Sequence, residues 1–321
     1  MKPEGNRLPT FLVIGTNKAG TTSLYDVLKG HPQVFLPYKK ELHFFNSDLN
    51  YAKGVDWYIH SFFDNAAGFP ARGDITPSYL YWGDKVVPRI EEVYGHEPPR
   101  MIAILRDPVE RAYSRYWHQR RLAGREPLSF EDALTAEAER IQGDAHSQGR
   151  RGLFARAYFG GGLYGAQLDR YFGSFPRENF HIILFHELNR EFVQTIRGVL
   201  AFLHLDTAVA IAPTRSNPAA VLRAPRLNRW LRSRSLVGRV AKAVLSDRML
   251  SWGRKALRKP FLTPSAYPPI NPATEQQLRQ RYLPDIQKLE GLIGRDLSSW
   301  YPRNTGTGSG AATPASRSNR S

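Results

Sequence analysis

Apolar residues fall along this chain in short unbroken runs that alternate with helical patterns. Phe11-Leu12-Val13-Ile14 has no polar interruption. Such a run predicts a strand buried on both faces. A loop and a helix from about Thr21 to Lys29 follow it. Met101-Ile102-Ala103-Ile104-Leu105 predicts a second buried strand, after which Asp107 caps a helix with Pro108 at its first position, where a missing N–H is no loss. Phe180 to Phe185 predicts a third strand, and beyond it Phe192, Ile196, Val199, Leu200 and Leu203 share one helix face. Strands alternating with helices predict an α/β fold with a parallel sheet. No internal repeat is visible.

Composition adds constraints of partner and chemistry. With 321 residues, 41% of them apolar, the chain can bury a substantial core. Lys and Arg number 45 against 29 Asp and Glu, a net charge of +16. That balance favours phosphate, sulfate, anionic glycan, membrane or nucleic-acid partners and says nothing about fold. The absence of cysteine excludes disulfides, thiolate nucleophiles and Cys-based zinc sites. The lead Met1 to Arg7 is polar, and the first apolar run is too short for a signal-peptide core. No stretch reaches the roughly 20 apolar residues of a spanning helix, so a cytoplasmic protein is expected.

Charge is uneven along the chain. The segment 223–259 holds twelve Lys and Arg against the lone Asp247, and apolar residues such as Leu227, Trp230, Leu231, Val237 and Val244 recur in it at helical spacing. It reads as a basic amphipathic helix or helix pair. One reading packs it on the core with a solvated basic face. Another makes it a peripheral contact with an anionic membrane, with Trp230 and Trp252 as anchors. The last residues, 304–321, are rich in Gly, Ser, Thr, Ala and Pro and are expected to be disordered.

The first strand runs into Gly15-Thr16-Asn17-Lys18-Ala19-Gly20-Thr21-Thr22-Ser23. A strand, a Gly-containing loop and a helix start form an anion site from backbone N–H groups and the positive helix end. Gly15 and Gly20 match a Walker A frame, but Thr21 stands where that motif needs Lys, and the lysine is Lys18. Without the Walker lysine the β/γ-phosphates lose their grip. The loop thus suits a phosphate but not a triphosphate; the bland alternative is an ordinary turn with solvated hydroxyls. Arg106 ends the second strand, at the sheet edge where α/β proteins place ligands, and Ser114 lies two turns into the next helix. Arg106 offers a planar fork for phosphate. Alternatively it pairs with a nearby carboxylate.

Together these clusters resemble the PAPS-dependent sulfotransferases (PAPS is 3′-phosphoadenosine 5′-phosphosulfate). Lys18-Ala19-Gly20-Thr21-Thr22-Ser23-Leu24 is similar to their 5′-phosphosulfate loop, and Arg106-Asp107-Pro108 through Ser114 to their 3′-phosphate motif. Glu41-Leu42-His43-Phe44-Phe45 resembles an element of the heparan sulfate N- and 3-O-sulfotransferases and their bacterial relatives. The resemblance implies a P-loop-like three-layer fold, a central parallel sheet flanked by helices. It implies one sulfotransferase domain over 8–303 that contains the basic segment. Lys18 would contact the 5′-phosphate and the bridging oxygen, and Ala19, Gly20, Thr21, Thr22 and Ser23 would cradle the phosphosulfate. Arg106 and Ser114 would hold the 3′-phosphate. Glu41 would be the general base on a hydroxyl or amine of a glycan or glycolipid acceptor, and no metal would be needed.

Glu41 and His43 are two residues apart, so an extended segment puts both on one side, and His43 is the alternative base. Phe44 and Phe45 beside them suit a packed environment. Lys39 and Lys40 either attract an anionic acceptor or are solvated. Two departures stand out. Asp74-Ile75-Thr76-Pro77 replaces a Glu-Lys-Thr-Pro element, so one cation is missing, and no Lys-Gly-Arg loop precedes Tyr267-Pro268. Gly162-Leu163-Tyr164 resembles a segment flanking the cleft, or simply starts a helix. The competing functions are a P-loop kinase or nucleotide hydrolase, and a non-catalytic nucleic-acid or membrane binder. The segment 223–259 carries no recognised nucleic-acid motif, so no specific nucleic acid is expected.

Overall fold

The computed structural model describes residues 7–123, 125–141, 155–211, 220–222, 262–264 and 267–303. The basic segment 223–259 and the tail 304–321 lie outside the described residues. Five parallel strands form the central sheet: β1 (Phe11–Gly15), β2 (Val34–Phe35), β3 (Ala71–Ile75), β4 (Arg100–Leu105) and β5 (Phe180–Leu184). Their order is β2-β3-β1-β4-β5. β1 is central, with Val13 opposite Ile75 on one side and Ile102 on the other. Each crossover is made by helix, as parallel pairing requires.

β1 and the Met101–Leu105 part of β4 read as continuous apolar runs because both sheet faces are covered there. Leu12, Ile14, Met101, Ala103, Leu105 and Leu184 point into one core. Phe11, Val13, Ile102, Ile104 and Ile183 point into the other. This is the period-two alternation of a pleated sheet between two helical layers. The second core receives Leu24, Tyr25 and Leu28 from α1 (Thr21–Lys29). The first receives α2 (Asp48–Tyr51), α3 (Gly54–Phe62), α4 (Gly83–Tyr94) and α5 (Pro108–Trp117), which all supply packed apolar residues.

After α5, the described helices are α6 (Phe130–Thr135), α7 (Tyr164–Ser174), α8 (Phe185–Arg190), α9 (Phe192–Phe202) and α10 (Pro272–Ile293). As expected from spacing, Ile196, Val199 and Leu200 form the buried face of α9. α10 locks onto α7 and α5. Asp285 accepts hydrogen bonds from Gly165 N at 2.9 Å and Ala166 N at 2.8 Å, which satisfies the open amide end of α7. Arg279 pairs with Asp107 at 2.9 Å, and Asp107 caps α5 through Val109 N and Glu110 N. A two-stranded antiparallel ribbon, β6 (Ala220–Leu222) with β7 (Leu262–Pro264), brackets the basic segment. Among the described residues no helix is long and apolar enough to cross a membrane.

Candidate active site

The strand order reverses around β1, so the carboxyl ends of β1 and β4 flank a crevice, the position where such sheets bind ligands. Thr16 N donates to Ile104 O at 2.9 Å, which ties the β1 loop to β4. Ala19 is fully buried and anchors that loop. Gly20 heads α1 at φ 89°, a left-handed conformation that glycine tolerates. A Cβ there would come within 2.7 Å of Leu188. No side chain caps α1, and its first turn carries no acidic residue. The amide end at Thr21, Thr22 and Ser23 is therefore left open, the kind of helix start that favours an anion.

Arg106 leaves the end of β4 and reaches the same loop. Its Nη1 donates to Lys18 O at 3.2 Å. Its Nε and Nη2 donate to Glu110 at 3.1 and 3.0 Å. The carboxylate pairing anticipated for Arg106 is thus present, and so is the approach to Lys18. Ser114 is buried on α5, and Tyr267 hydrogen-bonds to it. Tyr267 also stacks on Trp117 with ring centroids 5.7 Å apart, and Tyr113 donates to Pro268 O at 2.9 Å. A C-terminal strap therefore covers the Ser114 side of the crevice. The sequence offered no motif for it.

Glu41 and His43 come together, but not by the expected route. Glu41 sits at φ 62° and His43 at φ 56°. The segment is a tight left-handed turn and not an extended one. Its turn brings His43 Nε2 to 3.8 Å from Glu41 Oε2. His43 Nδ1 lies 3.3 Å from Asn46 Oδ1 and 3.3 Å from Ser78 Oγ. Among the described residues, the non-glycine positions at positive φ are Lys18, Glu41, His43 and His204. Such backbone is sparsely populated and persists where surroundings enforce it, often at functional sites. Three of the four are residues singled out from sequence.

The enforcement can be traced to Asp74. It is fully buried, and it accepts hydrogen bonds from Tyr58 and Tyr79, each at 2.7 Å, and from Thr76 at 2.6 Å. The same Tyr79 hydroxyl accepts from Phe44 N at 3.0 Å. Phe44 and Phe45 are fully buried, and Phe44 stacks on Tyr58 at 4.1 Å. Glu41 N donates to Ile75 O at 3.2 Å. The Glu41–Phe45 turn is thus clamped to the end of β3. Ile75 itself belongs to the core, so the cation missing from that motif is not supplied at this position.

Cations dominate the electrostatics. Lys18 is pushed down to about 8, first by burial and then by the positive charges of Arg115 and Arg106. Burial, with Arg111 nearby, takes Arg115 down to about 10, while Glu41 and Tyr158 oppose the shift. Arg115 therefore acts on both Lys18 and Glu41, and it was missed from sequence although it directly follows Ser114. Lys40 also turns inward, to Thr22 Oγ1 at 2.9 Å. Lys39 stays exposed. Gly162, Leu163 and Tyr164 do start a helix, α7, with Tyr164 buried.

Fold and site together define a P-loop-like α/β protein that presents a cation-bearing loop beside a carboxylate and an imidazole. The chain belongs to the sulfotransferase-domain family, whose match spans residues 8–217. It is similar to a sulfotransferase from Alicyclobacillus acidocaldarius, with 28% identity, a TM-score of 0.65, and coverage of 91% of this chain and 98% of that one. It is 25% identical to mouse heparan sulfate glucosamine 3-O-sulfotransferase 5, over 91% of this chain and 74% of the relative. It is 37% identical to the membrane-associated sulfotransferase kil1 of Dictyostelium discoideum over 42% of this chain. It is 30% identical to the bovine bifunctional heparan sulfate N-deacetylase/N-sulfotransferase 2 over 62% of this chain. The matches span 29% and 23% of those last two proteins.

Proposed function

We propose that the protein transfers a sulfuryl group from PAPS to a hydroxyl or amine of a glycan or glycolipid acceptor, by in-line displacement with Glu41 as general base. The observation that carries this reading is the contact between Arg106 and the Lys18 carbonyl at 3.2 Å. That contact joins two cation-bearing strand ends, which supports reading them as one site for a doubly phosphorylated adenosine. The donor set fits: an uncapped helix start, the hydroxyls of Thr21, Thr22 and Ser23, and Lys18 suit the 5′-phosphosulfate. Arg106 and Ser114 suit the 3′-phosphate.

The chemistry asks three things of the chain. Glu41 takes the proton of the acceptor O–H or N–H as that atom bonds to sulfur. His43, 3.8 Å away, orients the carboxylate. Lys18 neutralises the charge that collects on the 5′-phosphate as the bond from sulfur to the bridging oxygen breaks. The relatives named for heparan sulfate support a glycan acceptor. A cytoplasmic location, with 223–259 as a peripheral membrane contact, goes with the same reading and rests on the sequence alone.

Two measurements test it: titration with 3′-phosphoadenosine 5′-phosphate (PAP), and transfer of labelled sulfate from PAPS to a desulfated glycan mixture. Lys18→Ala and Arg106→Ala each weaken PAP binding by about ten-fold or more. Glu41→Gln leaves PAP binding intact and cuts turnover by about 10²-fold or more. Full activity in Glu41→Gln would move the base to His43. Turnover of ATP with Mg²⁺ and none of PAPS would overturn the reading.

A further inference from the structure

Lys40 stands out among the cations near the loop. Its Nζ donates to Thr22 Oγ1 at 2.9 Å and approaches Thr21 Oγ1 at 3.5 Å. Its charge also lies 5.9 Å from the Tyr25 ring. Tyr25 donates to Pro37 O at 3.0 Å, which fixes the backbone leading to Lys40. The side chain is half-buried, and among the described residues no carboxylate lies within ion-pair reach of it. Burial lowers its pKa, with Glu41 and Asp26 opposing. A partly desolvated ammonium on neutral hydroxyls gains little from them alone and is suited to an anion shared with them.

Its position names that anion. Thr21 and Thr22 open α1, and Lys40 is the residue before Glu41. The ammonium therefore bridges the donor loop and the turn that carries the base. Lys18 and Arg106 serve the two phosphates in the reading above. We infer that Lys40 binds the oxygens of the sulfuryl group itself, so that it recognises the loaded donor and not the spent one. This inference rests on the PAPS-dependent reading. Lys40 would supply, from the turn of the base, the cation that Ile75 does not supply from β3.

The experiment compares the binding of PAPS and of PAP, which lacks the sulfuryl group, in the full chain without acceptor. Lys40→Met is expected to weaken PAPS binding by about ten-fold and to leave PAP binding within about two-fold. Lys40→Arg is expected to restore most of the difference. Retained PAP binding shows that the variant is folded. Equal weakening for both ligands would assign Lys40 to the phosphates and overturn the inference, as would no change in either. Wild-type protein that binds neither nucleotide would instead sink the donor reading, and this inference with it.

Discussion

Raising the pH through 8 should uncouple the protein from its donor by discharging Lys18. In the free protein this lysine is held at about 8, against an ordinary 10.5, by burial and by Arg115 and Arg106. A bound polyphosphate reverses that balance, because a charge of opposite sign favours the ammonium. Binding then takes up the proton that the free lysine lacks. With a free-state value of about 8, that uptake is about 0.1 proton at pH 7 and about 0.9 at pH 9. The same linkage weakens PAP affinity about ten-fold between pH 6.5 and 9. Near pH 9 the phosphates add nothing, since their second ionisation lies near pH 6, whereas toward pH 7 the protons they release offset the small lysine uptake, so the reading is made at pH 9. Calorimetric titration of PAP in buffers of different ionisation enthalpy reads the uptake directly. Lys18→Arg, which stays charged, should flatten it. Unchanged uptake in Lys18→Arg, or none in the wild type at pH 9, would refute the assignment. The sign for stability runs the other way. A depressed lysine leaves the unfolded chain holding more protons between pH 8 and 10.5, so the free protein gains stability as pH rises through that window.

Two further predictions concern the frame. Asp74→Leu strands the hydroxyls of Tyr58, Tyr79 and Thr76 and should cost about 3 kcal/mol or more in denaturant unfolding. Turnover should fall as well, because Tyr79 also holds Phe44 N. Within α7, Gly165→Ala and Gly173→Ala should have opposite signs. A Cβ at Gly165 would meet the Asp285 carbonyl oxygen at 2.5 Å, whereas one at Gly173 meets nothing within 4 Å. Thermal unfolding should report a loss of about 1–3 kcal/mol for the first and a gain of up to about 1 kcal/mol for the second.

What the sequence made legible was local. β1 and β4 are buried on both faces, and that forces unbroken apolar runs; β5, at the end of the sheet order, was still legible from Ile182-Ile183-Leu184 although His181 interrupts its run. The Asp107-Pro108 cap depends on adjacent residues and formed as expected. β3 was not legible, because its run Ala71-Arg72-Gly73-Asp74-Ile75 carries two charges. Those charges are satisfied by partners that only the fold brings into place, some near in sequence and some far: Thr76, Tyr79 and Tyr58 for Asp74, and the Phe69 and Leu8 carbonyls for Arg72. Glu41 and His43 were found as a pair, but the period-two argument for their shared side fails on their left-handed backbone. Lys40 was visible as a charge beside Glu41, but its turn onto Thr22, like the approach of Arg115 to Lys18 and of Tyr267 to Ser114, comes from folding that no spacing rule encodes.

The site is also an electrostatic liability that a bound anion would relieve. Burial first, and then the positive charges of Arg115 and Arg106, depress Lys18. The carboxylate on Arg106 belongs to Glu110, whose side chain is 56% exposed. An exposed pair of that kind is worth little and breaks easily, so the Arg106 fork can be released to a phosphate at small cost. Glu41, the other carboxylate nearby, is held by its turn 3.8 Å from His43 and away from full pairing with the cations. A fold selected only for stability would neutralise such a cluster, and here it is preserved by a buried Asp74–Tyr79 clamp and a locked α5 cap. Binding of a multiply charged donor converts that repulsion into attraction. The donor should therefore stabilise the folded chain in proportion to its occupancy.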